Sequence, residues 1–308
     1  LVVTRDRNLR VVAALAVAAA GLALLFFLRG RPGGDSRPGA SSASSLVWFD
    51  RGGRRSEVLG TTADYLLPRL SPDGRRLAMD MVDGVSHRRD IWLCDLDKRA
   101  WTRFTTDPSS ASTPVWSPDG RFLVFSSTRA GRAIGLYSRT ADATGKDELL
   151  YESESMNQPT DCSPDGRYIA FASRERESET GWDIWILELS GRKAAPFLET
   201  KAEERGAVFS PDGASIAYSS SESGTDEVYV RPFRRPGEAR KISTGGGSSP
   251  RWRRDGKEIF YVAPGNQMMS VLLSENAAPR RLFSAKMAAP QFFDVSPDGQ
   301  RFLISLSD

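Results

Sequence analysis

Four ionisable residues of this chain share one register. Arg69, Asp161, Arg251 and Asp294 each stand two residues before a Ser-Pro-Asp-Gly tetrapeptide or its degenerate copy, Arg253-Arg254-Asp255-Gly256. Val115 and Val208 fill the other two instances of that position. Charges inside a protein are costly unless paired or hydrogen-bonded. Two chemistries follow from two guanidiniums and two carboxylates in one register. They form an internal salt-bridge set that fixes the spacing of neighbouring units, or a polar pocket that meets a ligand or a peptide end. By order along the chain, Arg251 pairs with Asp294, Arg69 has access to the same carboxylate, and Asp161 stands between valines. Asp161 is therefore the better ligand candidate and Asp294 the better structural one. One step nearer each turn stand Leu70, Trp116, Cys162, Phe209, Trp252 and Val295, an apolar series that reads as wedges between units.

Other chemistries find little support. His87 is the single histidine and sits in a polar loop, Ser86-His87-Arg88-Arg89-Asp90, without the Asp-x-x-x-x-Asn that would make it a kinase catalytic loop. Gly213-Ala214-Ser215-Ile216-Ala217 has the wrong fifth residue for a nucleophile elbow. One histidine and the scattered Cys94 and Cys162 do not compose a metal centre, and no cofactor motif is present. The two cysteines fall in different strands of non-adjacent repeats, so the expectation is burial as small apolar residues, not a disulfide. The aspartate of each tetrapeptide is explained by turn chemistry without calcium. The pattern predicts a protein without catalytic residues.

The elements that position these residues are set by the tetrapeptides, which begin at Ser71, Ser117, Ser163, Ser210 and Ser296, with the degenerate copy at Arg253. Starts separated by 43 to 47 residues define an array of supersecondary units. Proline presets φ for a type I turn, serine suits its first position, and glycine accepts the positive φ that follows. An apolar run before each turn and a period-2 run after it, as in Arg121 to Thr128, make each copy a hairpin tip. A third strand carries an acidic-aliphatic-aromatic signature at Asp90-Ile91-Trp92, Asp183-Ile184-Trp185 and Glu227-Val228-Tyr229. A short fourth strand ends in Thr or Ser, as Arg103-Phe104-Thr105-Thr106. Four antiparallel strands in about 45 residues, radially repeated, predict an all-β six-bladed β-propeller. The last repeat lacks two strands, while Leu46 to Asp50 and Arg55 to Gly60 are spare at the start. Their union closes the ring and removes bare edges.

The chain has 308 residues and a formal net charge of +3, from 42 Lys+Arg and 39 Asp+Glu. Nearly balanced charge without a basic block gives no nucleic-acid surface. Residues 11–28 (VVAALAVAAAGLALLFFL) carry no charge, and as a helix they approach the thickness of a bilayer core. They are expected to form one transmembrane helix after a short flank at 1–10. A Gly/Ser/Pro-rich flexible linker follows at 29–45, with the propeller at 46–308.

The repeats resemble the TolB-type family of bacterial β-propellers over Leu46 to Asp308. Finer features are Leu46-Val47-Trp48-Phe49-Asp50-Arg51, Thr180-Gly181-Trp182-Asp183, Val228-Tyr229-Val230-Arg231-Pro232-Phe233 and Ser243-Thr244-Gly245-Gly246-Gly247. These resemble the propeller that follows the membrane helix in bacterial receptor-like serine/threonine kinases. The resemblance implies a membrane-anchored, non-enzymatic propeller, periplasmic or extracellular, that binds a ligand or a protein or peptide partner. It would be the sensor half of such a kinase or a fragment without its upstream enzyme; the chain begins with Leu1. The alternative is the accessory propeller of a prolyl-oligopeptidase-type serine hydrolase whose catalytic domain is not in this chain.

Overall fold

A computed structural model describes residues 44–63, 65–83, 86–129, 134–175, 181–274 and 277–307. The expected helix at 11–28 and all but the end of the expected linker lie outside these residues. Among the described residues no helix is long and apolar enough to cross a membrane.

The described chain is built from strands, arranged as six four-stranded antiparallel sheets. Blades 1 to 5 occupy 65–103, 111–151, 156–198, 204–241 and 248–284, each with its strands in chain order. Blade 6 is composite. It combines Phe293–Val295 and Arg301–Ser307 with Ser44–Asp50 and Arg55–Ala63 from the start of the chain. The closing register is continuous, from Ser44 opposite Ser307 to Asp50 opposite Arg301, as the spare and missing strands predicted. The first strand starts at Ser44, two residues before the expected Leu46 boundary, and blade 4 keeps only Arg240–Lys241 as its fourth strand.

The tetrapeptides set the hairpins by side-chain and backbone hydrogen bonds together. In blade 2, the Ser117 hydroxyl donates to Asp119 Oδ1 at 2.6 Å and accepts the Phe122 N–H at 2.9 Å. The same Asp119 oxygen accepts the Arg121 N–H at 3.0 Å. The glycine closing each turn has φ between +68° and +72°, the left-handed region that strains other residues. In the degenerate turn Arg253 takes over the serine's role, holding Asp255 through Nε and Nη2 at 2.7 Å each.

Apolar residues of adjacent blades interdigitate in six clusters, one per junction. The residue before each turn enters the cluster it shares with the preceding blade. Trp116 packs with Ala78 and Ile91 of blade 1, and Phe209 with Tyr168 and Ala170 of blade 3. Leu70 meets Leu46, Trp48 and Leu303 across the closing junction. The second strands, such as Tyr168–Arg174, are buried on both faces because a blade lies on each side of them. Both cysteines are free and buried, and burial pushes the Cys94 thiol up to about 11.

Candidate functional site

The first strands of the six blades surround the central channel, and their bulges decide what faces it. The register of the first strand slips between Leu66 and Arg69, Ser112 and Val115, Pro159 and Asp161, Arg205 and Val208, and Ser248 and Arg251. An added residue re-aims those that follow it. In four of these bulges a residue adopts positive φ: Leu67, Thr113, Gly206 and Ser249. The bulge N–H then turns toward the preceding blade. Thr113 N donates to Asp80 Oδ1 at 2.9 Å, and Ser249 N to Ser219 Oγ at 3.0 Å.

The four charges end in the channel with different partners. Asp294 Oδ1 lies 3.4 Å from Arg251 Nε, and Asp294 Oδ2 accepts the Leu70 N–H at 2.7 Å. Asp161 Oδ2 accepts the Phe209 N–H at the same distance. Among the described residues no guanidinium lies within ion-pair distance of Asp161, flanked in its register by Val115 and Val208. A backbone donor of the next blade meets it instead, just as one meets Asp294. Arg69 has no carboxylate within ion-pair distance among the described residues. Its Nη1 donates to Pro68 O at 3.0 Å, as Arg251 Nη1 does to Pro250 O at 2.8 Å. The Arg251 side chain is buried and its Nη2 has no hydrogen-bond partner.

The charges act on one another across the channel. Burial lowers the Arg69 guanidinium to about 9, with the nearby Arg251 adding to the effect and Asp294, Asp161 and Asp80 opposing it. Burial raises Asp161 to about 6 against the pull of the Phe209 N–H, Arg251 and Arg69. Both side chains are enclosed by the ring of strands yet keep partial exposure, as residues lining a lumen do. Asp80 joins this set although its position in the second strand concealed it. The equivalent residues are Ser126, Ala172, Ser219, Val262 and Ser305, so one aspartate among small or apolar residues was the available signal. Asp80 is fully buried, 3.7 Å from Arg89 Nη1, and burial raises it to about 7.

The residues beside these charges bolt the blades together in a pattern that repeats across the ring. Asp161 and Asp294 capture backbone N–H groups of blades 4 and 1. Trp116 Nε1 donates to Arg69 O at 2.9 Å and Trp252 Nε1 to Val208 O at 3.2 Å, linking blades 2 to 1 and 5 to 4. Equivalent roles thus fall three blades apart. On the face bearing the turns, Arg254 replaces the proline of the motif, and its Nη1 donates to Pro72 O of blade 1 at 2.9 Å. That contact passes over blade 6 at the channel mouth. Beside it lies a shallow pocket lined by Arg253, Arg254, Asp255, Pro297 and Asp298. His87 is exposed in its loop, with φ of 53°.

A ring of six four-stranded blades, closed by strands from both ends and lined by a mixed set of charges, defines a closed six-bladed β-propeller with a polar channel. The chain belongs to the TolB β-propeller family, whose domain model matches residues 44–182 and 143–308. It is similar to an uncharacterised protein of Agrobacterium fabrum, 24% identical, over 73% of this chain and 94% of that protein. It is also 31% identical to the Tol-Pal system protein TolB of Francisella tularensis, over 46% of this chain and 32% of that protein, so the match spans about a third of that relative. Among solved structures, the putative TolB from Agrobacterium tumefaciens superposes with a TM-score of 0.72 at 18% identity, covering 87% of this chain and 99% of that one.

Proposed function

We propose that this propeller is a non-enzymatic protein-binding module, tethered to a membrane through residues 11–28 and acting outside the cytoplasm as a sensor or scaffold. The observation that carries the binding role is the channel: two guanidiniums with unused donors, Arg69 and Arg251, in a lumen that opens beneath Arg254. Arginine with free N–H groups in a low-dielectric site is suited to a carboxylate or backbone carbonyl of an inserted peptide segment. Membership of the TolB family supports a protein partner over a small metabolite. The uncharged run at 11–28 supports the tether. The resemblance to the propellers of receptor-like serine/threonine kinases supports a sensing role.

The test uses a photo-crosslinking amino acid placed at Arg254 on the channel mouth and, separately, at exposed Val58 on the outer strand of blade 6. Expressed in a native host, the full chain is expected to capture a protein adduct from the first position and not the second. Adducts confined to Val58, or none from either, would remove the channel mouth as the binding surface. Recovery of the full chain in the soluble fraction without detergent would remove the tether.

A further inference from the structure

Internal repetition provides a control for every side chain, and one junction fails it. The acidic residue at or next to the start of the third strand has a cation and a hydroxyl beside it in blades 1 and 4. Asp90 is 2.6 Å from Arg103 Nη2 and accepts the Thr105 hydroxyl at 3.1 Å. Glu227 is 3.7 Å from Lys241 Nζ and accepts the Ser243 hydroxyl and the Gly245 N–H, the latter at 3.1 Å. In blade 3 the same position is Asp183, whose strand neighbour Trp185 pairs with Pro196, so no cation stands opposite. Leu198, two residues beyond Pro196, stands where blades 1 and 4 carry Thr105 and Ser243. Asp183 is 8% exposed and its Oδ1 has no hydrogen-bond partner.

A second buried carboxylate adjoins it. Glu204, fully buried, begins the first strand of blade 4. Its Oε1 accepts the Thr200 hydroxyl at 2.6 Å and the Ser220 hydroxyl at 3.3 Å, while Oε2 has no partner. Thr200 follows the fourth strand of Asp183's blade and reaches the second acid with its hydroxyl. The equivalent of Glu204 in blade 3 is Asn157, which shows what the site is built to accept. Asn157 Nδ2 donates to Ile134 O at 3.0 Å, Ser153 Oγ at 2.8 Å and Ser155 O at 3.3 Å. At Glu204 those acceptor positions correspond to Trp182, Thr200 and Ala202, but the amide donor has become a carboxylate oxygen. Two hydroxyls donate to Oε1, nothing donates to Oε2, and among the described residues no cation lies within ion-pair distance of either acid.

We propose that Asp183 and Glu204, completed by the uncharged oxygens of the 199–203 connection, bind a hard metal cation of the calcium class at the junction of blades 3 and 4, on the side away from the turns. Oxygen ligands in which carboxylates are supplemented by hydroxyl, carbonyl or water oxygens are what such ions take. Among the described residues no three His, Cys, Asp or Glu side chains converge as a ligand set, so two carboxylates form the charged part of the site. The free oxygens are closed to solvent, which favours a small ion over an ammonium or guanidinium group. Burial raises both carboxyls above their ordinary range. Glu199, Glu175 and Glu203 add to this at Asp183, as Asp183 and Glu222 do at Glu204. Arg205 is engaged with Glu203 and lies 5.9 Å over the Trp182 ring.

The test is calcium binding to the full chain in mild detergent after chelation, by equilibrium dialysis and thermal melting, with magnesium for comparison. One calcium per chain is expected, with a midpoint rise of roughly 5 °C or more at about a hundredfold excess over Kd. Glu204→Gln, which restores an amide donor as in Asn157, is expected to stay folded and lose both effects. Asp183→Asn provides the second variant and is expected to weaken binding at least tenfold. Calcium bound equally by the wild type and both variants would overturn the assignment. So would a wild type that binds none and loses stability with rising pH in a way that Glu204→Gln abolishes, since Glu204 would then simply be held protonated.

Discussion

At the scale of single residues, a carboxylate in the channel does two jobs, and the balance differs between Asp161 and Asp294. Each holds a backbone N–H of the next blade, but only Asp294 also pairs with a guanidinium. Asp294→Ala is expected to cost about 3 kcal/mol or more, since it strands Arg251 as well as the Leu70 amide. Asp161→Ala is expected to cost about 1–3 kcal/mol, the order of one buried amide left unsatisfied. Asp161→Asn keeps an acceptor and should fall well below that; urea melts of the three variants order the roles. The raised carboxyls add a pH dependence of definite sign. Asp161, near 6, and Asp80, near 7, bind protons more tightly folded than unfolded. Their contribution to stability is fully present below the unfolded value of about 4 and fades as pH rises through 6 and 7. Melts between pH 4 and 8 are expected to show this decline, with Asp161→Asn and Asp80→Asn each flattening it. A channel whose stability rises over that range in both variants and parent would contradict the assignment.

At the scale of elements, the turn is the unit that specifies the hairpin, and its serine is the residue to test. Ser117→Ala removes the hydroxyl that joins Asp119 to the Phe122 amide and is expected to destabilise by about 1 kcal/mol in chemical denaturation. The blades were legible in sequence because this turn chemistry is local: proline, aspartate and glycine act on their own backbone, and the period follows. The closing strands were legible because strand types recur, so two missing and two spare could be matched. The channel was legible in part. The register of Arg69, Asp161, Arg251 and Asp294 predicted the Arg251–Asp294 pair, which is present. The backbone partner of Asp161 was hidden because main-chain donors carry no letter in the sequence. Asp80 was hidden because a bulge in blade 2 turns the Thr113 N–H onto it, a relation between blades that no local pattern contains. The lack of a cation opposite Asp183 emerged only when the fourth strand of blade 3 placed Pro196 where blades 1 and 4 place one.

At the scale of the whole molecule, every interface is between blades, so the ring is stable as a ring or not at all. Removing residues 44–63 leaves blade 6 with two strands and exposes the edge of Arg301–Ser307. That truncation is expected to give aggregated or protease-sensitive protein, whereas the intact ring melts in a single transition. At the channel mouth, Arg254→Ala is expected to leave the melting midpoint within about 2 °C while speeding entry of a small thiol reagent to a cysteine placed at Arg69. The parent chain, with its buried Cys94 and Cys162, measures the background. The seam between Ser44–Asp50 and Arg301–Ser307 also has a consequence in time. The first strand of the propeller to leave the ribosome pairs with the last, after roughly 250 residues have been synthesised. Until then five finished blades wait beside an unfilled place, and the apolar Leu46-Val47-Trp48-Phe49 segment has its hairpin partner but no neighbour on the other side. Pairing across so long a separation is slow. Emergence of Arg301–Ser307, rather than formation of any blade, is expected to set the moment at which the propeller becomes protease-resistant, which proteolysis of chains stalled before and well after that strand would show directly.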